Sequence, residues 1–120
     1  MFNGFDEMFL GGLAMGADGA IGTTYNFMGA LFVKMRECVA AGQMADALAL
    51  QRTANRVIDA LVDVGVLEGT KRILALFGHD CGPCRRPLLP LGAAAIARID
   101  NCVRDVLRPA LAANRAGVRA

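Results

Sequence analysis

The sequence contains no tryptophan, a single tyrosine and a single histidine, and its 13 basic residues are nearly balanced by 11 acidic ones. Proteins that bind nucleic acid usually carry a basic patch or stripe, with aromatic side chains where bases are stacked. A formal net charge of +2 over 120 residues, with no cluster of lysine and arginine, provides neither feature. We therefore exclude nucleic acid as a partner.

A long apolar run is also missing. The longest uncharged stretch, Gly19 to Val33, is shorter than the roughly 20 residues that a membrane-spanning helix needs, and it contains glycine, threonine and asparagine. No secretory leader is visible, because Asp6 and Glu7 come early and the first basic residue is Lys34. We expect a cytoplasmic protein without a membrane partner, whose four cysteines remain reduced thiols.

The most informative stretch that is present is the glycine-rich segment 16–26, GADGAIGTTYN. It predicts a short buried strand over Gly19–Gly22, then a tight turn and the start of a helix. Thr23 and Thr24 would lie at the carboxyl end of that strand, where α/β folds bind their ligands. The alternative is that Thr24 or Asn26 merely caps the helix that follows.

Hydrophobic periodicity and glycine stops predict that most of the chain is helical. One helix should begin at Asp6, a second should run from about Asn26 to Ala41, and an amphipathic helix should cover Met44–Val64. Gly42 and Gly65 should end the latter two, since glycine adopts left-handed conformations readily. The apolar stripe of the third helix consists of Ala47, Leu50, Ala54, Val57, Leu61 and Val64.

Prolines and glycines divide the remainder. We expect a short helix over Thr70–Phe77 with Thr70 as its N-cap and Gly78 as its stop, and an irregular segment around the prolines at 83, 87 and 90. Pro109 should kink or end the last helix near Arg108, and the tail Ala112–Ala120 should fray. That last helix starts near Gly92 and should direct inward Ile96, Ile99, Val103 and Leu107.

The motif Cys81-Gly82-Pro83-Cys84 has the spacing of a redox CxxC. A redox motif of that type follows a strand and opens a helix, whereas this one follows a predicted helix and runs into Arg85-Arg86-Pro87. Zinc is disfavoured as well, since His79, Cys81 and Cys84 supply three ligands and no second pair completes the set. We expect no metal site here.

Acidic residues follow another predicted strand end. Met1 to Gly4 reads as the last residues of a strand, so Asp6 and Glu7 would share an edge with Thr23 and Thr24. Carboxylates accept hydrogen bonds from sugar hydroxyls, so this set suits a polyhydroxylated ligand. The competing interpretation is that the two acids only complement a helix dipole.

Several segments together resemble the C-terminal part of the N-acetylneuraminate lyases, in the dihydrodipicolinate synthase-like aldolase superfamily. They are NGFDE at 3–7, GADGAIGTTYN at 16–26, the Gln51 helix after Gly42, and Gly78 with Arg86-Pro87-Leu88 downstream. The resemblance extends over essentially the whole chain and is densest over residues 2–26.

The resemblance implies an α/β fold, a (β/α)8 barrel followed by C-terminal helices. Residues 1–42 would hold the end of strand seven, helix seven, strand eight and helix eight, and residues 43–120 the C-terminal helices. A complete barrel takes about 250 residues, so this chain would be a C-terminal fragment that is largely helical.

The same resemblance implies a substrate site. Gly4, Asp6 and Glu7 would bind hydroxyls of the distal part of a sugar acid, with Gly22 and Thr23 on the neighbouring strand end. Thr23 stands where the family usually has serine, so the hydroxyl is kept and a methyl group is added.

The implied reaction is the reversible aldol cleavage of N-acetylneuraminate to N-acetylmannosamine and pyruvate. It uses a lysine that forms a Schiff base and a tyrosine that relays protons, and Lys34, Lys71 and Tyr25 match neither role. We therefore expect no catalytic residue, no cofactor and no lyase activity in this chain alone. The complete enzyme should be a homo-oligomer.

Two alternatives remain. One is an aldolase of the same superfamily that acts on another 2-keto acid. The other is an independent helical module that works through the CxxC thiols.

Overall fold

The computed structural model describes residues 1–117 of the chain. Two short strands, β1 (Phe2–Asn3) and β2 (Gly19–Ala20), form a parallel pair in which Phe2 is opposite Gly19 and Asn3 is opposite Ala20. The other elements are a 3₁₀ turn over Asp6–Met8, α1 (Phe9–Ala14), α2 (Tyr25–Ala40), α3 (Met44–Val64), α4 (Val66–Leu76), α5 (Ala93–Cys102), a π-helical turn over Val103–Leu107, and α6 (Arg108–Gly117).

The parallel pairing confirms that the carboxyl ends of β1 and β2 lie at the same edge of the sheet. The Asp18 amide donates to the Met1 carbonyl at 2.9 Å, and the Ile21 amide donates to the Asn3 carbonyl at 3.0 Å. Helix α1 packs closely on this pair, because a Cβ atom at Gly12 would lie 2.8 Å from the Asn3 side chain. The strand–helix–strand connection therefore presents residues 4–7 and 22–24 on the same side.

Helices α2 and α3 form the centre of the core. Met28, Leu31 and Met35 of α2 are completely buried, and they face the apolar stripe of α3. The predicted stripe is confirmed, since Ala47, Ala54, Val57 and Leu61 are buried and Leu50 and Val64 are half-buried. None of the helices within residues 1–117 is both long enough and apolar enough to cross a membrane.

The prediction of a helix beginning at Thr70 was wrong. Helix α4 already begins at Val66, directly after Gly65, which ends α3 with a φ of 111°. Gly69 and Thr70 are buried within it, and a Cβ atom at Gly69 would lie 2.6 Å from Leu61 Cδ2. Gly65 reverses the chain between two helices, so no separate capping residue is needed further on.

Pro109 does not end the last helix. The π-helical turn over Val103–Leu107 precedes it, and helix α6 continues from Arg108. Proline lacks an amide proton and its ring crowds the carbonyl four residues earlier, and a π turn alters the position of that carbonyl. Of the four side chains predicted to point inward, Ile99, Val103 and Leu107 are buried and Ile96 is half-buried. The expected fraying concerns residues 112–120; the structure is helical as far as Gly117, and residues 118–120 lie outside the described part.

Replacing Arg72 by Gln should cost at most about 1 kcal/mol of unfolding free energy at pH 7, because the ion pair that Arg72 forms with Asp100 is partly exposed. Arg72 Nε and Nη2 donate to the two carboxylate oxygens of Asp100 at 2.8 and 2.6 Å, which joins α4 to α5. This hydrogen-bonded guanidinium holds the pKa of Asp100 below its ordinary 3.8. A carboxyl group whose pKa is lowered by folding stabilises the fold at pH values above its pKa in the unfolded state. That contribution is lost as the pH falls through its pKa in the folded state.

Urea unfolding of the wild type and Arg72→Gln at pH 7 and again below pH 3.8 checks this prediction. The difference between the two proteins should shrink in acid. Arg104→Gln is the control, since Arg104 pairs with the adjacent Asp105 and joins no helices. A difference that is unchanged in acid would contradict the assignment to the ion pair.

Candidate functional site

A cleft of about 350 Å³ opens at the carboxyl ends of β1 and β2. All five residues proposed from the sequence to bind substrate line it: Gly4, Asp6, Glu7, Gly22 and Thr23. The opposite wall is apolar and comes from α3 and α4, with Ile58, Leu61, Val62 and Val66. Two strand ends and a helix pair thus combine polar groups and an apolar surface in one concave site.

Asp6 and Thr24 are the buried polar residues among those that line the cleft. Asp6 Oδ2 accepts hydrogen bonds from the Thr24 hydroxyl at 2.5 Å and from the Thr24 amide at 3.1 Å. Asp6 Oδ1 is buried and has no hydrogen-bond partner within the described residues. One oxygen therefore serves the fold by joining the two strand ends, and the other is enclosed beside Gly22.

Gly22 leaves space for that carboxylate. A Cβ atom at this position would overlap Asp6 Oδ1 and lie 2.5 Å from its Cγ and 2.7 Å from Oδ2. Asp6 is anchored by Thr24 and cannot move aside without losing those hydrogen bonds. The glycine is thus required by close approach and not by its backbone angles.

The other predicted residues are more open. Gly4 and Glu7 are exposed and Thr23 is half-buried, so their polar groups are accessible from the cleft. Thr24 stands at the N-cap position of α2 but makes no side-chain cap, because its hydroxyl is used by Asp6. Asn26 Nδ2 instead donates to the Thr23 carbonyl at 2.8 Å and braces the turn.

Tyr25 lies behind the cleft. Its ring packs edge-on against Phe32 at a centroid distance of 4.5 Å and against Phe9 at 6.3 Å. Burial raises the pKa of the Tyr25 phenol above its ordinary value, and the negative charge of Asp6 adds to the effect. The phenol therefore stays protonated, as a neutral neighbour of the Asp6 carboxylate.

Gln51 supports the segment that carries Asp6 and Glu7, a role that was not predicted from the sequence. From the middle of α3 its Nε2 donates to the Asp6 carbonyl at 3.1 Å, and its Oε1 accepts from the Leu10 amide at 2.8 Å. Asn55 Nδ2 adds a donor to the Glu7 carbonyl at 3.3 Å. The available signal was a buried glutamine beside the apolar stripe of an amphipathic helix, since a buried amide needs partners.

Neither lysine reaches the cleft. Lys34 is paired with Glu37 on α2, and Lys71 Nζ on α4 donates to the carbonyls of Cys81 and Pro83. His79, Cys81 and Cys84 do not form a ligand set either, because no group of three or more potential metal-binding side chains converges within residues 1–117. The cleft thus offers hydrogen-bonding groups without a nucleophilic amine.

The sequence model of the dihydrodipicolinate synthetase family matches residues 1–105. The chain is 52% identical over 107 residues to the N-acetylneuraminate lyase of Rhizobium meliloti (strain 1021) and 42% identical over 108 residues to that of Enterobacter sp. (strain 638). Each alignment covers 89% of this chain and 36% of the relative. The chain therefore spans about a third of the length of these relatives.

Solved structures agree with the sequence relatives. N-acetylneuraminate lyase from Fusobacterium nucleatum superposes with a TM-score of 0.83 at 34% identity, over 88% of this chain and 36% of that one. CdNal from Clostridium difficile, solved in complex with mannosamine, gives 0.84 at 30% identity over the same shares. Together with the family match over residues 1–105, this agreement shows that the chain belongs to the dihydrodipicolinate synthetase family.

Proposed function

We propose that this chain is the C-terminal portion of an N-acetylneuraminate lyase, which cleaves N-acetylneuraminate to N-acetylmannosamine and pyruvate. Residues 1–42 would contribute the end of the (β/α)8 barrel, and residues 43–120 the C-terminal helices. The observation that carries the proposal is the 52% identity to an N-acetylneuraminate lyase. It is supported by the cleft, which all five predicted sugar-binding residues line. The complete enzyme would be a cytoplasmic homo-oligomer.

In this proposal the cleft binds the polyhydroxylated part of the sugar acid. The carboxylates of Asp6 and Glu7 would accept hydrogen bonds from substrate hydroxyls, and Thr23 would donate or accept one. Gly4 and Gly22 would allow the ligand to approach the backbone closely. A neutral Tyr25 behind Asp6 leaves a single negative charge beside the sugar at this depth.

The carbon–carbon bond cleavage itself needs groups that this chain does not supply to the cleft. A Schiff-base lysine must reach the substrate carbonyl, and the two lysines lie on α2 and α4 in contacts with Glu37 and with loop carbonyls. We therefore propose that the chain binds sugar hydroxyls but is inactive alone.

An assay of pyruvate formation from N-acetylneuraminate tests this function. The chain alone should release no pyruvate, and a mixture with a polypeptide that supplies the preceding part of the barrel should release it. Pyruvate release by the isolated chain would contradict the proposal that the bond-cleaving groups lie in the preceding part of the barrel. A mixture that assembles and remains inactive would contradict the lyase assignment.

A second candidate is a related aldolase that acts on a different 2-keto acid, since the family match is broader than one substrate. Substitution of Glu7 by Gln in the active mixture distinguishes an N-acetylneuraminate lyase from an aldolase for another 2-keto acid. Glu7 is exposed at the cleft and makes no side-chain hydrogen bond within residues 1–117, so the fold should be retained. A lyase should show at least a tenfold rise in KM for N-acetylneuraminate, which corresponds to roughly one charged hydrogen bond. An enzyme for a shorter 2-keto acid should be unaffected.

A further inference from the structure

Cys81 and Cys84 lie outside the cleft that the proposed function uses. They belong to the irregular segment 79–92 between α4 and α5, where Cys81 is exposed and Cys84 is half-buried. Both are free thiols on a surface segment, whereas Cys38 is buried in the core. The two accessible thiols of this part of the chain are thus only three positions apart.

The backbone between them is held by side chains. Gly82 has a φ of 66°, and its amide donates to Asp80 Oδ1 at 2.9 Å. Lys71 Nζ donates to the Pro83 carbonyl at 3.0 Å and to the Cys81 carbonyl at 3.4 Å. One ammonium group therefore binds carbonyls on both sides of Gly82 and ties the motif to helix α4.

A cleft of about 320 Å³ adjoins this segment on the side of Cys84. Cys84, Lys71, Pro83 and Leu91 are among its lining residues, whereas Cys81 lies outside it and is exposed to solvent. The surrounding charges are mixed, with Lys71, Arg85 and Arg86 against Asp80 and Glu68, and Arg72 is neutralised by Asp100. Three positive against two negative side chains leave an excess of positive charge, which favours a small disulfide that carries carboxylates, such as glutathione disulfide.

We propose that Cys81 and Cys84 form a thiol–disulfide exchange site that reacts with small anionic peptide disulfides. The exposed Cys81 sulfur, as its thiolate, attacks one sulfur of glutathione disulfide, whose S–S bond breaks and releases one glutathione thiolate. The Cys84 thiolate then attacks the Cys81 sulfur, the Sγ–Sγ bond forms, and the second glutathione leaves. Two cysteine thiols are oxidised, one glutathione disulfide is reduced, and two protons pass through solvent to the released thiolates.

This role differs from that of a thioredoxin-type catalyst, because the motif neither follows a strand nor opens a helix. It is a modification site, in which oxidation cross-links the segment that Lys71 already binds. The other partly accessible thiol, Cys102, is half-buried between α3 and α5, and burial raises its pKa. A raised thiol pKa lowers the thiolate fraction and slows exchange, so Cys102 serves as an internal reference.

Mass spectrometry of the folded chain in a glutathione redox buffer tests the proposal. The wild type should lose two hydrogen atoms in mass and give a peptide that contains an 81–84 disulfide. Cys84→Ser should stop at one added glutathione on Cys81, and Cys81→Ser should react at least about tenfold more slowly, because the exposed attacking thiol is gone. Lys71→Met should slow the second step and leave the first unchanged.

The matched controls are Cys38→Ser and Cys102→Ser, which should still form the 81–84 disulfide at the wild-type rate. Circular dichroism of each variant verifies that the fold is retained, and Cys102→Ala replaces any serine variant that unfolds. Two results would overturn the proposal: equal addition of glutathione to Cys81, Cys84 and Cys102, or mixed disulfides with glutathione that do not convert to the 81–84 disulfide in the wild type. It is independent of lyase activity, since the isolated chain is sufficient.

Discussion

Substitution of Gly22 by Ala should lower the unfolding free energy by about 3 kcal/mol, which combines overpacking with the loss of a charged hydrogen bond. The added methyl group would occupy the position of Asp6 Oδ1. Asp6 can move only by releasing the Thr24 hydroxyl and amide, which are its partners at 2.5 and 3.1 Å. The strand ends and the start of α2 would therefore separate together.

Urea unfolding followed by circular dichroism measures this effect, with Gly4→Ala as the matched control. Gly4 lines the same cleft, and a Cβ atom there would meet nothing within 4 Å. The control should change the unfolding free energy by less than about 0.5 kcal/mol, as is usual at surfaces. Equal effects of the two substitutions would show that the Asp6 carboxylate does not fill the space beside Gly22.

Local rules predicted the parts of this fold that depend on short stretches of sequence. The glycine-rich segment 16–26 contains β2 and its turn, and Gly42 ends its helix with a φ of 74°. Parallel pairing of β1 and β2 then places Asp6 and Thr23 at one edge, as strand polarity predicted, whereas Gly4 and Gly22 were implied only by the family resemblance.

The remaining features depend on contacts between distant residues. Thr70 has the character of an N-cap, yet packing of α4 on Leu61 buries it inside a helix. Pro109 normally ends a helix, yet a π turn before it allows α6 to continue. The anchoring of Asp6 could not be predicted locally either, since its hydrogen-bond partner Thr24 is 18 residues away.

Substitution of Gln51 by Leu should cost about 2 kcal/mol, because the Leu10 amide loses its acceptor and the Asp6 carbonyl keeps only the Phe9 amide as donor, offset by added apolar burial. Gln51 is buried, and it alone connects α3 to both the Asp6 carbonyl and the Leu10 amide among the described hydrogen bonds. Leucine has a similar size and keeps the packing of α3 against α1. The loss would therefore be concentrated in the turn that carries Asp6 and Glu7.

Hydrogen exchange locates the effect and separates it from general destabilisation. In Gln51→Leu the amides of Leu10 and Thr24 should exchange faster than those of the α2–α3 core, since the first loses its acceptor and the second depends on the position of Asp6. Gln43→Leu is the control, because Gln43 is exposed and its side chain does not cap α3. Uniformly faster exchange throughout the chain would mean that Gln51 stabilises the fold without specifically holding the cleft. Exchange confined to residues 6–10 and 24 would establish α3 as the support of the cleft edge that carries Asp6 and Glu7.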